Sequence, residues 1–317
     1  MALNIAALTN PFVDELSFGL AKKVVLGLDI LPYIRVETAV NGSLQLNTVD
    51  STIYFTNSTC STTDTGSTTF AGNVLSTCFI AVNNDICLQD LNKVWYGKYM
   101  SKTEMGLTDL GDFHDFILAE KAEKVGEQLN LMIWQGSTSA GASTYQGTTV
   151  TGNKTLCNGF LQAAYLLSAT TVNLTKSAFT ASNVIGLVDY IYSQAPAAIK
   201  SIDNIRLFVS PADFDIYLTA VRNANWFHGP ADFAGLKEIS HFGARNLKVT
   251  VANGLNGAAS GTFILTYGEN CVFGCLAESD FMKFDSIYNP FAKKLQINPA
   301  FNVGVQFVFG EHVVRSA

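Results

Sequence analysis

Six cysteines and four histidines are the residues of this sequence that could bind a metal ion or act as nucleophile and base. Cys271 and Cys275 stand in a strand-like segment at a spacing that places both side chains on one face, where they could clamp a metal ion. A closed zinc site needs further ligands, and no second pair stands nearby. A thiol on a buried strand otherwise behaves as a small hydrophobic side chain. We therefore predict no metal site.

No motif joins the histidines to a nucleophile. They are spread over different predicted elements: His114, His228, His241 and His312. Glu311–His312 in the last strand is typical of a surface pair, and neither Cys87 nor Cys157 has a histidine at a spacing that supports nucleophilic catalysis. The sequence also lacks G-x-S-x-G, G-x-x-x-x-G-K-[ST], a G-x-G-x-x-G after a strand, and H-E-x-x-H. We predict no catalytic residues and no cofactor, so the protein is not expected to be an enzyme.

Composition narrows the class of protein further. The chain has 317 residues, 48% of them hydrophobic and 15% charged, with a net charge of −6. An average soluble domain has about 25% charged residues, so much of this surface is predicted to be uncharged and suited to burial against other chains. The acidic balance argues against a dedicated nucleic-acid binder, which would show a basic patch.

The expected compartment determines the expected state of the cysteines. No apolar run reaches the roughly 18 residues of a membrane span, and the first residues lack the basic start and long apolar stretch of a secretory signal. We therefore expect a chain that is made and kept in a cytoplasm, without a membrane partner. Cysteines stay reduced there. All six are expected to be free thiols: Cys60, Cys78, Cys87, Cys157, Cys271 and Cys275.

The first 92 residues are predicted to form an arm and a hairpin, which do not make a core of their own. After Asn10–Pro11, the apolar residues Phe12, Leu16 and Leu20 recur every four residues, which predicts an amphipathic helix over 12–26. Residues 36–92 contain no Lys or Arg. Their β-rich pieces flank a polar stretch and predict a long hairpin, with strands expected at 43–46, 52–56 and 74–82. A two-stranded hairpin is marginal in water, so this one must lie on its own domain or on a neighbour.

The rest of the chain is predicted to be a long helix followed by a mixed α/β region. An apolar stripe of Leu118, Ala122, Val125, Leu129 and Met132 predicts a helix over 112–134. Further on, the patterns predict helices at 182–195 and 211–223, the second capped by Ser210, and strands at 205–209, 247–251, 262–267, 271–276, 295–297 and 303–309.

The order of these parts resembles a known family. The segments that carry the resemblance are FILAEKAEKVGEQLNLMIWQG (116–136), SPADFDIYL (210–218), LKVTVANGLNGAASGTFILTYGEN (247–270) and NVGVQFVFGEHVVRS (302–316). Together with the arm and the long acidic β loop, they resemble the major capsid proteins of tailed double-stranded DNA bacteriophages, which have the Hong Kong 97-type (HK-97-like) capsid fold. The resemblance covers nearly the whole chain.

That resemblance implies an α+β, HK-97-like fold with five parts. They are an N-terminal arm (1–35), an extended β E-loop (36–100), a peripheral domain (101–177) with its spine helix at 112–134, an axial domain (178–280), and strands that return to the peripheral domain (281–317). It also implies hexamers and pentamers that assemble, in a host bacterial cytoplasm, into the icosahedral shell of a virion around the phage genome. The implied partners are portal, scaffold and decoration proteins, and weakly and non-specifically bound double-stranded DNA.

Two variations within the family can be addressed from the residues. Some members cross-link neighbours through a Lys in the E-loop, but the first Lys after residue 36 is Lys93, so we expect a shell held together non-covalently. The N-terminal scaffolding segment of some members is also not recognisable. We therefore expect either a separate scaffold protein or a mature form.

The predicted site residues are apolar residues expected to contact another subunit. In the hairpin nothing nearby in the sequence covers them: Tyr54, Phe55, Phe70, Val74 and Leu75. In the arm they are Phe12, Leu16 and Leu20.

Three alternatives remain open. An encapsulin-type nanocompartment is a shell of the same fold that encloses protein. A virion adhesion or carbohydrate-binding module would suit the Ser/Thr/Asn-rich loops but not the long helix. An α/β enzyme would need titratable groups that converge in a pocket.

Overall fold

The computed structural model describes residues 28–55, 66–87, 110–139, 144–145, 148–224, 236–276, 286–289 and 294–316. Its helices are α1 (Leu110–Gln135), α2 (Phe160–Leu166), α3 (Val184–Gln194), α4 (Ala197–Lys200) and α5 (Pro211–Asn223). Its strands are β1 (Arg35–Glu37), β2 (Ser43–Ile53), β3 (Gly66–Ser76), β4 (Cys78–Ala81), β5 (Asn84–Cys87), β6 (Thr144–Tyr145), β7 (Thr148–Thr149), β8 (Val172–Leu174), β9 (Ile205–Val209), β10 (Glu238–Ser240), β11 (Leu247–Val251), β12 (Phe263–Tyr267), β13 (Cys271–Cys275), β14 (Ser286–Asn289), β15 (Lys294–Ile297), β16 (Ala300–Phe307) and β17 (Val314–Ser316). The helix predicted at 12–26 lies outside the described residues.

A six-stranded sheet, in the order β10-β11-β9-β12-β17-β8, forms the centre of the described chain. The middle strand β9 pairs in parallel with β11 and antiparallel with β12. Leu207 and Val209 pack with residues of α3 and α5, such as Val184 and Phe214. Phe208 points to the other face, where its ring lies 5.2 Å from that of Trp134 in α1. The sheet is therefore covered on both faces, which explains the near-continuous apolar sequence of β9.

The helix predicted at 112–134 is observed as α1. Ala122, Leu129 and Met132 of the predicted stripe are buried, and Val125 is part-buried. The fully buried Trp134 near its end contacts Phe160 of α2, with ring centroids 5.3 Å apart. The C-terminal half of α1 is thus built into the main core.

A second sheet, in the order β1-β13-β16-β4, carries strands from distant parts of the sequence. β13 pairs in parallel with β1 and antiparallel with β16. The sheets do not follow the predicted limits at 178 and 280, because β8 and β17 complete the six-stranded sheet while β13 belongs to the four-stranded one. The five-part division itself stays a prediction.

The expectation of six free thiols is wrong for Cys78 and Cys157. These two residues, 79 apart in sequence, form a disulfide with their Cα atoms 5.8 Å apart. Cys271 and Cys275 are buried in β13, and burial raises the pKa of the Cys271 thiol. Among the described residues, no group of three or more His, Cys, Asp or Glu side chains is placed to hold a metal ion. The described helices include none that has both the length and the apolar character of a membrane span.

Candidate assembly surface

The hairpin of β2 and β3 is the longest strand pair among the described residues. Eleven residues of each strand pair antiparallel, from Ser43 opposite Ser76 to Ile53 opposite Gly66. At about 3.4 Å per residue, this ladder is about 37 Å long. The strands predicted at 43–46 and 52–56 are therefore one continuous strand, since the polar residues between them also pair with β3.

One face of the hairpin carries four large apolar side chains that are open to solvent, with polar residues such as Ser51 and Thr68 between them. Directly paired residues in an antiparallel ladder point to the same face, so Val74, Val49 with its partner Phe70, and Ile53 share one face. All four are exposed, Phe70 at 79% of its surface. We call these four residues the apolar face. The opposite face bears small and polar side chains along the outer part of the ladder: Thr48, Asp50, Thr52, Ser67, Thr69 and Ala71.

An apolar contact holds the root of the hairpin to the protein. Leu75 is 0% exposed and packs with Val40, Leu46 and Val272 of β13. A Cβ added to Gly274 of β13 would lie 2.6 Å from Leu75 Cδ2, so the Leu75 side chain packs closely on this glycine and would have to shift to make room. The root is therefore part of the protein's own core.

Hydrogen bonds fix the same root to the neighbouring strand β16. Asn73 Nδ2 donates to the carbonyl oxygens of Phe307 at 3.0 Å and Val308 at 2.8 Å. Gln306 Nε2 donates to the carbonyl oxygen of Val74 at 3.1 Å. Because these contacts lie at residues 73–75 and none of the outer residues of the ladder is buried, the hairpin is anchored at one end and exposed beyond it.

The predicted interface residues fall into three groups. Tyr54, Phe55, Phe70 and Val74 are exposed, Phe55 completely. For Leu75 the premise of the prediction is wrong, because the hairpin root covers this side chain within its own chain. The arm residues Phe12, Leu16 and Leu20 lie outside the described part. Whether any of these residues contacts another subunit stays a prediction.

Sequence reasoning missed three residues of the exposed surface. Val49 and Ile53 complete the apolar face, and Phe79 of β4, which follows the hairpin, is 76% exposed. The alternation of β2 signals the first two, since positions 49, 51 and 53 must share a face once the strand is continuous. No sequence signal identifies Phe79, because its exposure follows from the position of β4 at the edge of the four-stranded sheet.

Two histidines, His241 and His312, hold structural elements together. The buried ring of His241 bridges α5 and α3, with Nδ1 2.8 Å from the hydroxyl of Tyr217 and Nε2 2.8 Å from Asp189 Oδ1. Burial, with a smaller contribution from Asp189, raises the pKa of Tyr217 well above its ordinary value. His312 lies with Nδ1 3.1 Å from the hydroxyl of Tyr267. The hydrogen-bond partners described for these two rings are tyrosine and aspartate side chains.

A cleft of about 810 Å³ opens beside β1. The guanidinium of Arg206 lies over the ring of Tyr33 there, 4.7 Å from its centroid, and Arg35, Tyr267 and Glu269 are among the other lining residues. The described lining contains no Ser, Thr, Cys, His or Lys, and its acidic residues are Asp203 and Glu269, so it lacks the usual side-chain nucleophiles of an acyl-transfer site. The hairpin is therefore the stronger candidate surface.

The chain is similar to known proteins in three-dimensional structure, whereas the comparisons of its sequence found no match. No family model matches the chain, and no curated protein matches it in sequence. A chain of the satellite phage P4 procapsid, solved with the size determination (Sid) protein, has 13% identity and a TM-score of 0.53 over 94% of this chain and 98% of its own.

Two further solved structures match over comparable lengths. The capsid of Myoviridae phage XM1 has 13% identity and a TM-score of 0.52, over 89% of this chain and 88% of its own. A virus-like particle from Pyrococcus furiosus has 9% identity and a TM-score of 0.50, over 96% of this chain and 98% of its own. At such identities a likeness is evidence of fold. The chain has the α+β fold of the phage capsid proteins.

Proposed function

We propose that this protein is the structural subunit of a phage capsid, a major capsid protein that self-assembles as hexamers and pentamers into an icosahedral shell around the phage genome. The observation that carries the proposal is the exposed apolar face on a hairpin whose root, among the described residues, is built into the protein's own core. The likeness to capsid structures over most of the chain supports it.

The free energy gained by burying apolar side chains favours a partner for the apolar face. Fully burying a Val, Ile or Phe side chain stabilises a structure by about 1.5–3 kcal/mol relative to leaving it in water. Val49, Ile53, Phe70 and Val74 are all left in solvent by the described chain. A second copy that covers them would recover this free energy and would also support a hairpin that is otherwise marginal.

The chemistry of the hairpin suits a chain of low charge better than a nucleic acid. Residues 36–92 hold five acidic and no basic residues, so this surface would repel a phosphate backbone. Charged residues are depleted at the centres of protein interfaces. The partner we propose for the hairpin is thus another copy of the same chain, whose charged residues amount to 15%.

Within this proposal the HK-97-like parts have defined places. The hairpin belongs to the E-loop (36–100), α1 is the spine helix of the peripheral domain, and strands β9 to β12 of the six-stranded sheet belong to the axial domain (178–280). The N-terminal arm is assigned to residues 1–35. The shell is held non-covalently, assembles in a host bacterial cytoplasm with portal, scaffold and decoration proteins, and contacts double-stranded DNA weakly.

A second candidate is an encapsulin-type shell with protein cargo. The observation that favours it is the match to the Pyrococcus furiosus virus-like particle, which covers 96% of this chain. Both candidates are shells, and their contents separate them. Particles that contain DNA of uniform length support the phage capsid, and particles that contain a protein and no DNA support the encapsulin.

The test of assembly is light scattering with negative-stain electron microscopy on the purified chain. We expect hexamers, pentamers or shells, and a stable monomer would contradict the proposal. Phe70→Asp places a charge on the apolar face and should abolish shells while the monomer stays folded. Ala71→Asp is the matched control, since the neighbouring residue points to the opposite face, and it should leave assembly intact. Equal assembly by both variants would exclude the apolar face as the contact.

A further inference from the structure

The Cys78–Cys157 disulfide lies where the hairpin root meets the segment that follows α1. Cys78 opens β4, two residues after the hairpin strand β3 ends at Ser76. Cys157 packs against the end of α1, because its carbonyl oxygen occupies the space that a Cβ on Gly136 would need. Gly159 N also donates to the carbonyl oxygen of Gly136 at 2.8 Å. The disulfide thus joins the root of the hairpin to the end of the long helix.

The two cysteine residues differ in exposure. Cys157 is buried, with 3% of its surface exposed, and the carbonyl oxygen of Val303 lies 3.6 Å from its sulfur. Cys78 is part-buried on an edge strand, beside the exposed Phe79. Cys78 also packs partly against the main core, but it is the more exposed of the two residues, so we expect a small molecule to reach its sulfur before that of Cys157.

The neighbouring thiols are poorly placed to compete. Cys275, Val303 and Cys78 lie side by side on the adjacent strands β13, β16 and β4. Two strand spacings separate Cys275 from Cys78 by about 9.6 Å, beyond the roughly 7 Å between Cα atoms that a disulfide spans. Cys271 is buried, and burial raises the pKa of its thiol, which lowers the reactive thiolate fraction. Position therefore selects Cys157 as the partner of Cys78.

We propose that Cys78 is a thiol–disulfide exchange site through which a small-molecule disulfide, such as oxidised glutathione, converts the subunit from a dithiol form to the form with the Cys78–Cys157 bond. The bond couples the hairpin root to α1 and restricts local opening there, and we call this coupling the strut. Its mechanical role rests on the proposed function, in which the hairpin lies on a second copy. The exchange chemistry does not depend on that function.

The exchange proceeds in two balanced steps. The thiolate of Cys78 attacks one sulfur of the small disulfide, whose S–S bond breaks, and one small thiolate leaves with the electron pair. The thiolate of Cys157 then attacks the Cys78 sulfur of the mixed disulfide and releases the second small thiolate. Each leaving thiolate takes up one of the two protons lost by the cysteines. Two protein thiols are oxidised and one small disulfide is reduced to two thiols.

Oxidation should change the hairpin root more than the central sheet. Among the described strands β4 pairs only with β16, and Ile80 packs in the main core, so a dithiol form would keep these two contacts and lose the covalent link. The disulfide adds a covalent link from the first residue of β4 to the segment packed on α1. We therefore expect local opening of β4 and of residues 73–76 to become rarer on oxidation.

Linkage mapping tests the exchange site on the full chain as isolated subunits. The protein is reduced, transferred to buffers with oxidised glutathione, alkylated and mapped by mass spectrometry. We expect a peptide pair linked between Cys78 and Cys157, a stable glutathione adduct on Cys78 in Cys157→Ala, and at least tenfold less adduct on Cys157 in Cys78→Ala. Cys275→Ala, a buried thiol in the same row, is the control and should keep the linkage. A missing linkage, or Cys275 in place of Cys157, would overturn the proposal.

Hydrogen exchange tests the strut. On reduction, amides of β4 and residues 73–76 should exchange at least tenfold faster, and those of β9 should not change. Cys157→Ala should match the reduced protein, and Cys275→Ala the wild type. Equal rates in both redox states would refute the strut even if the linkage forms. Because both measurements use subunits, subunits that never form shells would defeat the proposed function and leave these results standing.

Discussion

The hairpin and the six-stranded sheet are built from the same kind of element and differ in what covers them. β9 is buried along four of its five residues, with α3 and α5 on one face and Trp134 on the other. β2 has one buried residue, Leu46, in eleven. Residues of its own chain therefore cover the sheet, whereas the described residues of the outer hairpin are paired across the strands and exposed on their faces. A hairpin whose apolar side chains are exposed in the subunit is suited to a partner that buries them.

The largest expected effect is on the sheet side of this comparison. Trp134→Ala removes a fully buried side chain that contacts both Phe160 and Phe208. We expect the free energy of unfolding to fall by about 3–5 kcal/mol, as for other large-to-small core substitutions. Urea denaturation of the subunit measures it. Phe55→Ala, at a fully exposed aromatic residue of the hairpin, is the control and should change stability by less than about 0.5 kcal/mol.

The next largest effect is expected where the exposed hairpin meets the core of the protein. Leu75 and Val74 are adjacent, but Leu75 is buried in the hairpin root and Val74 is exposed. Leu75→Ala should cost about 2–4 kcal/mol of unfolding free energy, and Val74→Ala less than about 0.5 kcal/mol. Urea denaturation of both variants checks the difference. Equal losses would mean that the hairpin root is not part of the core.

A smaller, pH-dependent effect should come from the sheet side alone. Burial raises the pKa of Tyr217, so the folded state keeps a proton that the unfolded chain loses above about pH 10. This contribution is complete below pH 10 and is lost as the pH rises towards the folded pKa, with a slope of up to about 1.4 kcal/mol per pH unit. Denaturation between pH 9 and 11.5 measures the slope. Tyr217→Phe should reduce the slope of unfolding free energy against pH. Tyr267, whose pKa burial also raises, accounts for the slope that remains.

The sequence predicts local structure well where neighbours in the chain determine it. Ser210 caps α5 as predicted, accepting a hydrogen bond from Asp213 N at 3.1 Å, and α1 matches its apolar stripe. These features depend on residues three or four apart. The carboxylate of Asp213 is used differently, since it accepts from Ser260 Oγ at 2.7 Å and Gly261 N at 3.0 Å, a long-range contact that no local pattern contains.

The exposed surface was harder to predict, because exposure depends on what distant strands cover. Leu75 looked as uncovered as Phe70 in the sequence, yet β13, about 200 residues further on, buries one and leaves the other in solvent. The Cys78–Cys157 disulfide was missed for the same reason. Its partners meet only because β4 adds to β16 and the chain after α1 folds back onto that strand.

The smallest expected effect on the subunit is the one that sharpens the comparison most. Phe70→Ser removes a ring that is 79% exposed and stands opposite Val49 in the ladder, so the unfolding free energy should fall by the value of one cross-strand pair, about 0.2–1 kcal/mol. Assembly should nevertheless fail, because a covered phenylalanine contributes more than that at an interface. Urea denaturation and light scattering on the same sample test both halves. A large loss of stability would mean that Phe70 already belongs to the subunit's own core, and unchanged assembly would mean that the partner lies elsewhere.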